Sequence, residues 1–207
     1  DGKPRWQGVL VPHPEDLYRR LLAEIESGAS ELTLVSYRYD AVGLDGKVEF
    51  LLDRDGSFYF LEMNTRLQVE HGVTELVYNV DLVEWMINLA ANQLPALNEL
   101  DKILVANGHA IQVRLYAEDA NKDFQPSAGL ISHVNWATSV DHGTLRIDHW
   151  LESGCEVSPF FDPMLAKIIC HSETREQALS GLKQSLENSS VYGIETNKDY
   201  LQQLLSS

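Results

Sequence analysis

Glu49 and Glu62 are the residues whose types and spacing first point to chemistry. They flank Asp55-Gly56, a dipeptide suited to a tight hairpin turn, between the apolar-rich runs Val48–Asp53 and Phe58–Met63. With Asp55-Gly56 as a two-residue loop, Arg54 pairs with Ser57. Counting outward sets Glu49 opposite Glu62, Leu51 opposite Phe60 and Asp53 opposite Phe58. Val48, Phe50 and Leu52 then share the other face with Met63, Leu61 and Tyr59, an apolar set that turns to the core. Two carboxylates directly opposite each other repel, and a fold gains nothing from them unless a cation sits between. Oxygen ligands with Asn64 beside them suit Mg²⁺ or Mn²⁺, with phosphate oxygens completing the shell. The alternative is a solvated acidic face with both side chains in water.

The residues after Glu62 favour the metal. Glu62, Asn64, Arg66, Gln68 and Glu70 recur at period two, with Met63, Leu67 and Val69 between them. An extended segment lines these five polar groups along one side. Their order is acceptor, amide, guanidinium, amide, acceptor, a set suited to holding a small anion beside a metal.

These groups need elements to position them. Pro14, with Leu17, Leu21, Leu22 and Ile25 behind it and Gly28 as a stop, predicts a helix. Asp81 is a plausible N-cap for a second helix over Leu82–Leu89. Gln93–Lys102 is polar, contains Pro95 and reads as a connector. Apolar alternations at Ala110–Leu115, Leu130–Val134, Thr144–Ile147 and Leu165–Cys170 predict an antiparallel sheet, and helical spacing at Glu176–Leu186 and Asn197–Leu205 predicts two closing helices. Hairpins with segregated helices make the fold class α+β.

Composition narrows the partners. The chain has 207 residues and a formal net charge of −15, from 16 Lys+Arg against 31 Asp+Glu. A surface of that sign repels polyanions, which argues against nucleic acid and acidic membranes. No apolar run approaches the ~20 residues of a spanning helix. Two cysteines, Cys155 and Cys170, without a CxxC, argue against a disulfide framework or a zinc site and for a reducing compartment, with the cytoplasm as default. The chain opens Asp1-Gly2-Lys3-Pro4 without Met and is expected to be a piece of a longer protein.

The run Phe60-Leu61-Glu62-Met63-Asn64-Thr65-Arg66-Leu67-Gln68-Val69-Glu70-His71 resembles the signature of biotin carboxylases, members of the ATP-grasp superfamily. Similarity continues through Val73-Thr74-Glu75, Gly108-His109-Ala110, Asp162-Pro163-Met164-Leu165-Ala166-Lys167 and Gly193-Ile194-Glu195-Thr196-Asn197. Within the family, Val113–Asp119, Phe124–Ser127, Glu156–Pro159 and Val191–Leu201 resemble the urea carboxylase branch, the biotin-dependent part of urea amidolyase. Gly72 stands where many members have Pro.

The resemblance implies the C-terminal part of an ATP-grasp domain over residues 1–97, with a mixed or antiparallel sheet and flanking helices. A biotin carboxylase C-terminal domain follows over 98–207. It implies that Glu49, Glu62 and Asn64 bind the Mg²⁺ or Mn²⁺ that bridges ATP phosphates. Arg66, Gln68 and the backbone of Val69 hold bicarbonate, and Glu70 removes its proton. Arg146 stabilises carboxyphosphate and the biotin enolate. The implied reaction phosphorylates bicarbonate with ATP and transfers CO₂ to N1 of biotin.

Bicarbonate is a weak nucleophile that must attack an anion, so a metal, a guanidinium and a base are what the reaction needs. Arg146 as a planar fork suits a carboxylate or phosphate better than a lysine does. The structural alternatives are an ion-paired Arg66, a surface Arg146, hydrogen-bonded His71 and His109, and turn or ion-pair roles for Glu118 and Asp119; Lys167 fits either class.

No Gly-rich phosphate loop and no Met-Lys-Met biotinylation site occur here. The expected partners are therefore an N-terminal ATP-grasp lobe, a biotinyl carrier domain bearing the biotin, and a carboxyltransferase domain. Without that lobe the fragment is expected to be inactive alone. The alternatives are the biotin carboxylase of an acyl-CoA or pyruvate carboxylase, a carbamoyl-phosphate synthetase, and a non-catalytic dimerisation module, since this region forms a homodimer interface in several family members.

Overall fold

A computed structural model describes Arg5–Trp6 and residues 32–41, 44–53, 58–64, 66–96, 99–100, 102 and 104–206, with side chains from Asn64 onward. The helix expected over Pro14–Gly28 and the hairpin loop at Asp55-Gly56 lie outside the described residues. The chain divides into two compact units, residues 1–71 and 72–207.

The first unit carries a four-stranded antiparallel sheet in the order β1 (Arg5–Trp6), β2 (Leu32–Ala41), β3 (Leu44–Asp53), β4 (Phe58–Asn64). Glu49 is the direct cross-strand partner of Glu62, with Val48 opposite Met63 and Lys47 opposite Asn64. Toward the loop the expected register fails. A bulge follows Glu49, and Phe50, Leu51 and Leu52 pair with Phe60, Tyr59 and Phe58. The one-residue slip sets Phe58 opposite Leu52 instead of Asp53, so apolar residues match apolar residues while the two glutamates keep their pairing.

The extended segment expected through Glu70 also gives way. Strand β4 ends at Asn64; Arg66 lies in a bend and Val69-Glu70 in a turn. The Gln68 carbonyl accepts the His71 backbone N–H at 3.2 Å, and that closed turn cannot continue a strand.

Helix α1 (His71–Tyr78) begins at once, and its remaining residues belong to the second unit. Helix α2 (Leu82–Ala90) follows, capped as expected by Asp81, whose carboxylate accepts the Glu84 N–H at 2.8 Å. Beyond the connector come β5 (His109–Tyr116), then β6 (Glu118–Asp119) and β7 (Gln125–Pro126), which pair around a short 3₁₀ turn at Ala120–Lys122. The strand expected over Leu130–Val134 is split. Strand β8 (Gly129–Leu130) pairs with β11 (Glu156–Val157), and β9 (His133–Asn135) with β13 (Ser190–Tyr192). Fully buried Ile131 sits at the break, its N–H donating to the Cys155 carbonyl, so the chain turns from one ribbon to the other through the core.

The main sheet of this unit has the antiparallel order β10 (Thr144–His149), β12 (Met164–Ser172), β5. Register gives it two different faces. Leu145, Ile147, Ile168, Cys170, Val113 and Leu115 fall on one, in the apolar core with Ala178, Leu182 and Leu186 of α3 (Arg175–Asn188). Each of those buried leucines contributes about 1.5–3 kcal/mol. The helix approaches so closely that a Cβ on Gly181 would meet the Cys170 Sγ at 2.5 Å. A Thr174–Gln177 capping box starts α3, and α4 (Lys198–Leu204) closes the described chain. Cys155 and Cys170 are free thiols, and among the described residues no helix is long and apolar enough to cross a membrane.

Candidate anion-binding site

The site residues read from the sequence fall in both units. In the first, the β3–β4 register sets the backbones of Glu49 and Glu62 opposite each other, with Asn64 two residues further along β4. This donor set of two carboxylates and an amide fits a hard cation such as Mg²⁺ or Mn²⁺. Past the strand, Arg66 is exposed, its Nη1 donating to the Leu67 carbonyl at 3.3 Å, while Gln68, Val69 and Glu70 are half-buried. The Gln68 carbonyl also lies 2.7 Å from His71 Nδ1, so His71 is a hydrogen-bonded part of the turn. Arg66, Gln68, Val69 and Glu70 are thus gathered by a turn instead of spread along a strand.

In the second unit the other face of the β10–β12–β5 sheet carries charged and amide side chains around the fully buried Ile169. Asp148 pairs across the strands with Lys167, and Lys167 with Arg114; one row over, Arg146 pairs with Ile169, and Ile169 with Gln112. Arg146 and Asp148, two apart on β10, share that face. The Arg146 guanidinium donates from Nε and Nη2 to the two oxygens of Asp148 at 2.8 and 2.9 Å, and from Nη1 to Glu75 Oε2 at 2.5 Å. Lys167 Nζ reaches Asp148 Oδ2 at 3.1 Å.

Glu75 is buried at 6% exposure, and its other oxygen accepts the Leu82 N–H, the first backbone donor of α2, at 2.8 Å. A carboxylate there is favoured by the helix N-terminus. The hydrogen bonds that Arg146 donates to Asp148 first, then to Glu75, push its pKa up against the cost of burial, so it stays charged at any working pH. Burial drives the Asp148 carboxyl upward, but the hydrogen bonds from Arg146 and Lys167 outweigh it and hold it below the usual carboxylate range.

The reading of Arg146 as a surface arginine is therefore replaced by that of a half-buried one, 32% exposed, inside a four-charge cluster. Sequence reasoning missed Glu75 and Asp148 as its partners. The spacing Arg146-x-Asp148 on a strand was available as a signal, because residues two apart share a face. Glu75 lies 71 positions away from Arg146 and left no such trace. Lys167 belongs to the ion-paired class. Asp119, as expected, serves a turn and an ion pair, accepting the Asn121 N–H and pairing with Lys122 at 2.9 Å.

Comparison with known proteins bears on both units. Residues 30–98 match the carbamoyl-phosphate synthase L chain ATP binding domain, and residues 112–207 match the biotin carboxylase C-terminal domain. The urea amidolyase of Saccharomyces cerevisiae is 48% identical over 166 residues, covering 78% of this chain and 8% of that protein. The crystal structure of the Kluyveromyces lactis urea carboxylase is 45% identical with a TM-score of 0.69, covering 78% of this chain and 14% of that one. The biotin carboxylase domain dimer of the Hydrogenobacter thermophilus 2-oxoglutarate carboxylase, solved with MgADP, ADP and bicarbonate, is 32% identical with a TM-score of 0.72, covering 96% and 40%. The chain thus spans less than half the length of each of these relatives. Its α+β fold, its signature run and both domain matches agree: the chain belongs to the biotin carboxylase family, joining part of an ATP-grasp domain to a biotin carboxylase C-terminal domain.

Proposed function

We propose that this chain forms the metal, bicarbonate and anion-stabilising side of a biotin carboxylase site within a urea carboxylase, acting with ATP and with biotin carried on another domain. The observation that carries it is the cross-strand pairing of Glu49 with Glu62, retained where the neighbouring register slips. Glu49, Glu62 and Asn64 hold the divalent cation. That cation, when bound, neutralises the ATP phosphates that bicarbonate must approach. Arg66, Gln68 and the Val69 N–H orient bicarbonate, and Glu70 takes its proton, which makes the anion a better nucleophile. Arg146 then offers N–H donors to the carboxyphosphate formed and to the enolate oxygen of biotin.

The boundary at 97/98 separates the two functional segments in this reading. The N-terminal ATP-grasp lobe, the biotinyl carrier and the carboxyltransferase domain are its partners, a homodimer its assembly and the cytoplasm its compartment. The higher identity to urea amidolyase and urea carboxylase than to the 2-oxoglutarate carboxylase supports the urea branch. The test is bicarbonate-dependent ATP hydrolysis and carboxylation of free biotin by the full-length protein, with Glu49→Gln and Glu62→Gln abolishing both. Carboxylation that survives the double substitution would remove the metal assignment, and hydrolysis by residues 1–207 alone would remove the need for the other lobe.

A further inference from the structure

Arg146 is held from two sides before any ligand arrives. A guanidinium has five N–H donors. Asp148 takes the one on Nε and one on Nη2, and Glu75 takes one on Nη1, leaving one on each terminal nitrogen. Each carboxylate is itself anchored. Asp148 is gripped by Lys167 on the next strand, and Glu75 by the Leu82 N–H at the start of α2. Helix α1 passes close above, since a Cβ on Gly72 would lie 3.7 Å from the Arg146 Cζ. A free arginine must give up much rotamer entropy to bind an anion in one orientation; this one has given it up on folding.

We propose that Glu75 and Asp148 are positioning residues for Arg146, clamping its guanidinium so that its two remaining donors meet the anion formed during biotin carboxylation. This rests on the reading of Arg146 given above. Within the ion pairs of this cluster each guanidinium or ammonium meets a carboxylate, so what Arg146 offers an incoming anion is directed N–H groups. Its contribution lies in geometry, and geometry of this kind acts on turnover more than on ground-state binding.

The test is a double-mutant cycle in the full-length carboxylase, with free biotin, ATP, Mg²⁺ and bicarbonate. Arg146→Lys, Glu75→Gln and their combination are compared by kcat and by KM for ATP, with melting temperature recorded for each. In Glu75→Gln a single amide oxygen cannot serve both the Leu82 N–H and Arg146. The expected result is a fall in kcat of about ten- to a hundredfold with an unchanged KM for ATP. In the Arg146→Lys background the same substitution costs less than about twofold more.

Equal losses in the two backgrounds, or a kcat within about twofold of wild type for Glu75→Gln, overturn the positioning role. Arg146→Lys with unchanged turnover overturns the functional reading itself and the inference with it. Should Glu75→Gln fail to fold, the same cycle with Asp148→Asn decides, non-additivity supporting the clamp and additivity removing it.

Discussion

Two cross-strand pairs on two sheets invite comparison. On β3 and β4, Glu49 stands opposite Glu62; on β10 and β12, Asp148 stands opposite Lys167. The first register matches like with like and costs free energy unless a cation joins it, whereas the second supplies its own cation from the neighbouring strand. Arg146 extends the second into a cluster with Glu75 that is complete on folding. The carboxylate pair proposed above to take up a metal and the carboxylate pair that already clamps an arginine are thus built from the same chemistry. What separates them is which residue the register places opposite.

Breaking the complete cluster has the largest expected effect. Arg146→Ala in the full-length carboxylase should lower kcat for biotin carboxylation about 10²–10³-fold. It should also lower the melting temperature, because it takes the charged partner from one oxygen of the buried Glu75 carboxylate while the Leu82 N–H still holds the other, at a cost of about 1–3 kcal/mol. An undiminished melting temperature would show that water reaches Glu75 more easily than its burial suggests.

The open pair should behave oppositely. Glu49→Gln with Glu62→Gln should weaken Mn²⁺ binding by titration at least about tenfold, yet raise metal-free stability by about 0.2–1 kcal/mol as repulsion is relieved. Equal Mn²⁺ affinity in the double variant contradicts the metal assignment.

Acid sharpens the contrast. Asp148 has a folded-state pKa below its unfolded value of about 3.9, so its contribution is fully present above that value and is lost as pH falls through the lowered folded one. Melting temperatures from pH 6 to pH 3 should fall less steeply in Asp148→Asn than in wild type; parallel curves would place the acid sensitivity elsewhere. The smallest effect is expected at Gly72→Ala. An added Cβ would meet the Ile169 Cδ1 at 2.4 Å, and the end of that side chain can turn away, so the cost should be about 1 kcal/mol by chemical denaturation. A loss of several times that would mean that α1 and β12 cannot yield.

Much of the fold was legible along the chain. The hairpin, the Asp81 cap, the three strands of the main sheet and the two closing helices follow from period-two and helical spacing and from local capping chemistry. The errors arose where a neighbouring element overruled a local pattern. The β3–β4 bulge matches Phe58 to Leu52, the Gln68–His71 turn ends the polar stripe, and the burial of Ile131 divides one expected strand between two ribbons.

The sequence by itself determined the family, because the run Phe60–His71 is contiguous, and it pointed to the Glu49–Glu62 pairing, which holds because the bulge beside Glu49 offsets the one-residue slip nearer the loop. Only the tertiary structure decided that Arg146 is clamped, and by what. Asp148 is a local neighbour, but Lys167 comes from β12 and Glu75 from α1, and no periodicity along a chain records which side chains a sheet and a helix bring within hydrogen-bond distance. Local spacing governs backbone conformation and register; the closing of a charge cluster depends on packing between elements distant in sequence.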